Sequence, residues 1–259
     1  MVEDDEIGLR KAALRALHSL DLTNLEHDCD EAAIQTLARR AITAHGNVAA
    51  VCVWPRFVGE AHRLLAHQGV RIATVVNFPA GDDDPGEIAD LTETAVEAGA
   101  GEIDMVIPYK AFLEGREERV ITLVKRVRRA AGRGVLVKAI LETGVLEREE
   151  AVRRAAELAL EGGADFLKTS TGKTPVSATL RAARTMLEAI RDSEAQAGLK
   201  PSGGVSKSTD AANYLDLADE VMGESWATPE TFRIGASGLL DALVATLDGV
   251  DEETQAESG

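Results

Sequence analysis

The 259-residue sequence predicts an α/β fold, a single-domain (β/α)8 TIM barrel. Three observations carry that prediction. Short runs rich in Val and Ile alternate with longer amphipathic helical patterns along the chain. A segment repeats 64 residues apart: Glu97-Ala98-Gly99-Ala100-Gly101-Glu102-Ile103-Asp104 aligns with Glu161-Gly162-Gly163-Ala164-Asp165-Phe166-Leu167-Lys168. Each copy is a helix end, a glycine turn and a strand whose last aligned position is charged, an interval that fits two βα units. Finally, no Pro/Gly/Ser-rich linker divides the chain, and eight such units fill its length.

Taken in order, buried strands are expected at 48–53, 71–78, 102–107, 135–141, 165–170 and 232–236. All are short and apolar. Rhythm places two more, at 199–204 and 219–223. Amphipathic helices are expected at 87–98, 147–161, 178–195 and 239–247, several of them closed by glycine. Residues 1–247 therefore read as one barrel domain with an N-terminal helical extension, and the acidic tail at 248–259 is expected to be flexible. A doubly wound sheet is the competing architecture. It usually has fewer strands and a glycine-rich turn after the first, and that turn is missing.

Charge narrows the function classes. The chain carries 44 acidic and 28 basic side chains, a net charge of −16. Such a surface repels phosphate backbones and anionic lipid heads, so neither nucleic acid nor membrane is expected as a partner. No apolar run of about 20 residues spans a bilayer, and Met1-Val2-Glu3-Asp4-Asp5-Glu6 is unlike a basic leader, so a cytoplasmic location is expected. Cys29 and Cys52 are too few for a disulfide framework. Only 8 of the 28 basic residues are lysines. Together with the acidity, this reads as a halophile's surface, in which salt screens the repulsion between carboxylates.

Charged residues on apolar strands are the candidate chemistry, because barrel function gathers at the C-terminal strand ends while the interior is packed with apolar residues. Asp104, Lys138, Lys168 and Lys200 fall on four successive strands, spaced by 34, 30 and 32 residues, which is the period of the fold. That spacing brings three amines and a carboxylate to one mouth. Desolvation and neighbouring positive charge both disfavour an ammonium, so one lysine is expected to titrate low. A neutral amine attacks a carbonyl to form a Schiff base, whose iminium is an electron sink for making or breaking a carbon–carbon bond. Asp104 is placed to move protons. Arginine stays protonated and cannot replace the nucleophile.

Glycine-rich loops supply a second element. Gly172 and Lys173 follow one strand, Gly203 and Gly204 the next, and Gly235 and Ser237 stand just before a helix. Backbone N–H groups and a helix N-terminus at that rim suit a phosphate. Gly172-Lys173-Thr174 is not a P-loop, since the required earlier glycine would fall at Leu167. His18, His27, His45, His62 and His67 all lie in the first quarter of the chain, away from this rim, so no metal or other cofactor is expected. Cys52 reads as a small apolar core residue.

These residues carry a family resemblance. The stretch from Asp165 through Lys168-Thr169-Ser170-Thr171-Gly172-Lys173 resembles the Schiff-base motif of the deoxyribose-phosphate aldolases. Leu199-Lys200-Pro201-Ser202-Gly203-Gly204-Val205 resembles their second-lysine motif, and Glu102-Ile103-Asp104-Met105-Val106-Ile107-Pro108-Tyr109 their catalytic-aspartate strand. Val51-Cys52-Val53-Trp54-Pro55-Arg56, Asn77-Phe78-Pro79, Leu141-Glu142-Thr143-Gly144 and Phe232-Arg233-Ile234-Gly235-Ala236-Ser237 fit as well, so the resemblance runs from Asp21 to Leu247.

The resemblance implies a metal-free class I aldolase that cleaves 2-deoxyribose 5-phosphate to glyceraldehyde 3-phosphate and acetaldehyde. By motif, Lys168 forms the imine, Lys200 lowers its pKa and relays protons, and Asp104 is the proton donor and acceptor. Lys138 is a further candidate near them to which the motifs assign no role, and Gly172, Lys173, Gly203, Gly204, Gly235 and Ser237 hold the phosphate. A phosphosugar is then the small-molecule partner, and a homo-oligomer, a dimer in preference, is expected. Ser202, Ser206 and Gly238 depart from residues common in the family, and the tail has no terminal tyrosine; the three substitutions bear on phosphate binding. A class I aldolase of another phosphosugar, or a barrel that binds one without catalysis, are the alternatives.

Overall fold

Strand alternation and helix capping set the architecture of the computed structural model, which describes residues 2–193 and 195–250. The strands are β1 (Leu20–Asn24), β2 (Ala50–Val53), β3 (Arg71–Val76), β4 (Glu102–Val106), β5 (Leu136–Ile140), β6 (Phe166–Lys168), β7 (Gly198–Lys200) and β8 (Ile234–Ala236). All pair in parallel in the order β8-β1-β2-β3-β4-β5-β6-β7. Single bridges Leu199–Phe232 and Ser202–Gly235 bring β7 to β8 and close the ring. This is the predicted TIM-like barrel.

The helices are α1 (Val2–His18), α2 (Glu31–Arg40), α3 (Val58–Leu64), α4 (Pro85–Glu97), α5 (Tyr109–Leu113), α6 (Glu118–Ala131), α7 (Thr143–Leu146), α8 (Glu149–Glu161), α9 (Leu180–Asp192), α10 (Ser208–Met222) and α11 (Leu239–Asp248). Their starts follow from sequence. Asp84 accepts hydrogen bonds from the N–H groups of Gly86 and Glu87 with Pro85 in the first turn of α4, and Asp30 accepts from Ala33 N–H at α2. α6 lays Val120, Leu123, Val124 and Val127 on the barrel at helical spacing and stops at Gly132, whose φ is +70°. α1 packs against α10 and α11. No described helix is long and apolar enough to cross a membrane.

Two apolar regions result. The larger lies between sheet and helices and includes Leu22, Val51, Ile72, Ile103, Met105, Val137, Leu167 and Leu199. The smaller, Leu25, Ala50, Cys52, Ala73 and Val75, lies inside the ring. Its side chains are small, so the interior of this barrel has room for long charged ones.

Two sequence expectations are corrected. Residues 219–223 are not a strand but the end of α10, whose Ala211, Leu215 and Ala218 bury one helical face before Gly223 turns out at φ +98°. The missing strand is β1, in which Asp21 interrupts the apolar pattern; its carboxylate is buried only because partners from distant strands meet it. The strands β2 to β7 are therefore each one later in the order than the rhythm placed them, while β8 keeps its place. The expected acidic tail lies outside the described residues from 251 onward, and α11 runs through Asp248 to a cap at Gly249.

Candidate active site

Alternation along β4 sends Ile103 and Met105 outward and Glu102 and Asp104 into the ring. Register then assembles the site. Lys138 on β5 pairs directly with Asp104, and Lys168 at the end of β6 pairs with Lys200 at the end of β7. The four residues singled out by their spacing thus converge, but inside the barrel and not around its open mouth. Lys138, Lys200 and Asp104 are fully buried, and Lys168 retains 2 % exposure.

Their contacts are unequal. Lys138 Nζ donates to Asp104 Oδ1 at 2.7 Å and also lies 2.6 Å from Glu102 and 3.2 Å from Asp21. Lys200 Nζ donates to Asp104 Oδ2 at 2.7 Å and to Asp21 Oδ2 at 2.5 Å. Lys168 Nζ has one carboxylate partner, Asp104 Oδ2 at 2.8 Å. Beneath them Arg233 donates to Asp21 at 2.7 Å and to Glu102 at 2.8 Å. Four buried cations (Lys138, Lys168, Lys200, Arg233) thus meet three buried carboxylates (Asp21, Glu102, Asp104). A half-exposed Arg71 approaches Glu102 from outside at 3.7 Å.

One of those cations is held less firmly than the rest, and the contacts say which. Burial lowers the Lys168 pKa, Lys200 lowers it further, and the single carboxylate of Asp104 does not restore it. Burial also acts against charge at Lys200 and Lys138, yet there two and three carboxylates outweigh it, and both pKa values rise. Asp104 resists the effect of burial because Lys138, Lys168 and Lys200 hold it well below the usual carboxylate range, and the same holds for Asp21 beside Lys138, Lys200 and Arg233. Burial pushes the Cys52 thiol up, away from the reactive thiolate.

Asp21, Glu102 and Arg233 were not among the site residues expected from the sequence. Each carried a signal, a charged residue within an otherwise apolar strand pattern, but Asp21 lay outside every expected strand. Glu102 and Arg233 stood at strand starts, where a charge normally meets solvent.

The glycine loops gather at the rim beside this network. Gly172, Lys173, Gly203, Gly204, Gly235 and Ser237 line one cavity of about 320 Å³, joined by Ser202, Ser206, Gly238, Thr23 near the end of β1, and Leu25 and Glu26 just past it. Gly203 has φ +82°, and a Cβ there would meet Ser177 at 2.7 Å; a Cβ at Gly235 would lie 2.9 Å from Lys200 Cε. Glycine at these positions lets the chain pass this closely around the cavity, and α11 begins beside it at Gly238. Lys173 Nζ donates to Glu26 Oε1 at 3.3 Å. A larger cleft of about 570 Å³ beside α6, lined in part by Arg116, Arg119 and Arg126, touches none of the network. Among the described residues, no three or more His, Cys, Asp or Glu side chains gather as metal ligands would.

The chain that carries this network and cavity has counterparts among known proteins. The family model described as DeoC/LacD family aldolase matches residues 15–243. The chain belongs to this family. The aldolase is 51 % identical over 251 residues to the deoxyribose-phosphate aldolase of Agrobacterium fabrum, covering 96 % of each chain. A crystal structure from Toxoplasma gondii ME49 superimposes with a TM-score of 0.87 at 24 % identity, over 96 % of this chain and 98 % of that one. The tetrameric deoxyribose phosphate aldolase of Aeropyrum pernix superimposes with a TM-score of 0.75 at 23 % identity, over 94 % and 99 %. At those identities the two structures speak for the fold. The matched span of the aldolase takes in all eight strands, and with them every residue of the buried network and the rim cavity.

Proposed function

We propose that this aldolase is a lyase that cleaves 2-deoxy-D-ribose 5-phosphate reversibly to D-glyceraldehyde 3-phosphate and acetaldehyde, with Lys168 as the imine-forming residue. The observation that carries the reading is the contrast among the three buried amines: Lys168 alone has a single carboxylate partner and a lowered pKa. The 51 % identical Agrobacterium fabrum relative supports the choice of substrate.

In this mechanism neutral Lys168 attacks C1 of the open-chain aldehyde, and loss of water leaves an iminium. A base removes the proton from the C3 hydroxyl, the C2–C3 bond breaks, and its electron pair moves into the iminium to give an enamine of acetaldehyde. Glyceraldehyde 3-phosphate departs. Protonation at C2 and hydrolysis then release acetaldehyde and restore the amine. Asp104, within 2.8 Å of both Lys168 and Lys200, is assigned as proton donor and acceptor, acting through water. Lys200 keeps its charge, depresses the Lys168 pKa and relays protons. Lys138 ties Asp104 in place from behind. Gly172, Lys173, Gly203, Gly204, Gly235 and Ser237 are assigned to the phosphate, which the rim cavity is placed to receive.

Borohydride reduction in the presence of acetaldehyde tests this reading. An adduct mapped to Lys168 is expected; none, or one elsewhere, refutes the assignment. The net charge of −16, held with few lysines, further supports a cytoplasmic protein adapted to concentrated salt, whose melting temperature should rise steeply with salt. A homo-oligomer, a dimer in preference, remains the expected assembly, which sedimentation equilibrium measures.

A further inference from the structure

One buried carboxylate is not part of the charged network. Of the four among the described residues, Asp21, Glu102 and Asp104 each touch lysine or arginine, whereas Glu142 touches no cation although its residue is 0 % exposed. It stands just past the end of β5 at φ +56°, a left-handed conformation that costs a residue with a Cβ about 1 kcal/mol or more. Burying a carboxylate without a counter-ion is costlier still and requires that its oxygens be satisfied by hydrogen bonds.

Here the donors all come from the loop after β6. Thr171 Oγ1 donates to Glu142 Oε2 at 2.6 Å, Thr171 N–H approaches Oε1 at 3.4 Å, and the Thr174 hydroxyl is shared between Oε1 at 3.2 Å and the Val176 carbonyl at 3.0 Å. Thr171 Oγ1 accepts in turn from Lys173 N–H at 3.1 Å. The chain of bonds therefore runs from the end of β5 through a threonine to the backbone of Lys173, beside Gly172 on the wall of the rim cavity. The neighbouring residue reinforces the clamp, because Gly144 packs so closely on the Val176 carbonyl that no Cβ fits.

We propose that Glu142 is a positioning residue that holds the Thr171–Lys173 loop in its phosphate-receiving shape, so that it governs recognition of the phosphate end of the sugar and not bond cleavage. The inference rests on the phosphosugar reading above. The uncharged imine partner acetaldehyde needs no such loop, which separates the two ideas experimentally.

Wild type, E142A and E142Q are compared by kcat and KM on 2-deoxyribose 5-phosphate and on unphosphorylated 2-deoxyribose, with acetaldehyde trapping alongside. For E142A, KM for the phosphosugar is expected to rise about tenfold or more with kcat changed less than about threefold, and constants for the unphosphorylated sugar to move less than about twofold. E142Q keeps the volume and one carbonyl acceptor, so its KM should fall between the two. Equal losses on both sugars, or none on either, overturn the proposal. If E142A does not fold, the same split in E142Q decides. A wild type that traps acetaldehyde while the variants show no split overturns the role of Glu142 alone; a wild type that traps nothing overturns the imine reading beneath it.

Discussion

The inside of the barrel and its rim handle charge in opposite ways. Inside, the site is built from side chains: four cations and three carboxylates, almost wholly buried, in the ring interior that Ala50, Cys52, Ala73 and Val75 also line. At the rim it is built from backbone, with glycines at Gly172, Gly203 and Gly204 opening the chain toward a solvated cavity and one lysine already paired to Glu26. A low dielectric magnifies every pairwise interaction, so unequal numbers of carboxylate partners are enough to separate the pKa values of three lysines. Solvent at the rim screens such differences, and shape takes over from charge.

The sharpest way to break the comparison is at the nucleophile. K168R keeps a cation beside Asp104 but cannot supply a neutral amine, so activity should fall by at least about 1,000-fold with the fold retained. Near-wild-type turnover, with a wild-type circular dichroism spectrum, refutes the assignment.

K138M tests the network as structure. It leaves Asp104, Glu102 and Asp21 short of a buried partner, and urea titration should show a loss of about 3–5 kcal/mol. The wild type should also lose stability in acid. Asp21 and Asp104 are depressed in the folded state, so their contribution is present above the ordinary carboxylate pKa of about 3.9 and is lost as pH falls below it.

Two substitutions should move the pH profile in opposite directions. Lys200 depresses Lys168 and Asp104 raises it, so the limb on which the amine loses its proton should shift to higher pH in K200M and to lower pH in D104N. Both should be slower than wild type. A shift of the two limbs in the same direction contradicts the assigned interactions.

The smallest effect belongs to the rim. E26Q frees Lys173 from an exposed ion pair, and such pairs contribute about 0.2–1 kcal/mol, so KM for the phosphosugar should fall by at most about fivefold with kcat unchanged. A larger change would mean that the rim is less screened than its exposure indicates.

The same contrast explains what could be read from the sequence. Asp104, Lys138, Lys168 and Lys200 stood out because the fold's own period spaces them along the chain, and the glycine loops because backbone conformation demands glycine. Glu102 and Arg233 look like ordinary charges at strand starts, and Asp21 falls in a five-residue strand whose alternation is half polar. Glu142 ends an apolar run and looks like a turn residue. What hides each of them is a partner contributed by another strand or loop. Residues 219–223 were misplaced because rhythm alone put a strand there; Val221 and Met222 close a helix whose buried face lies earlier, at Ala211, Leu215 and Ala218.

The sequence by itself determined the repeat, the lysines spaced at the period of the fold and the positions where the backbone needs glycine, because these follow from local spacing and residue type. Only the tertiary structure decided which lysine is held least firmly in its charged form. That depends on how many carboxylates surround each amine, and the carboxylates come from β1 and β4, far along the chain from the amines on β5, β6 and β7.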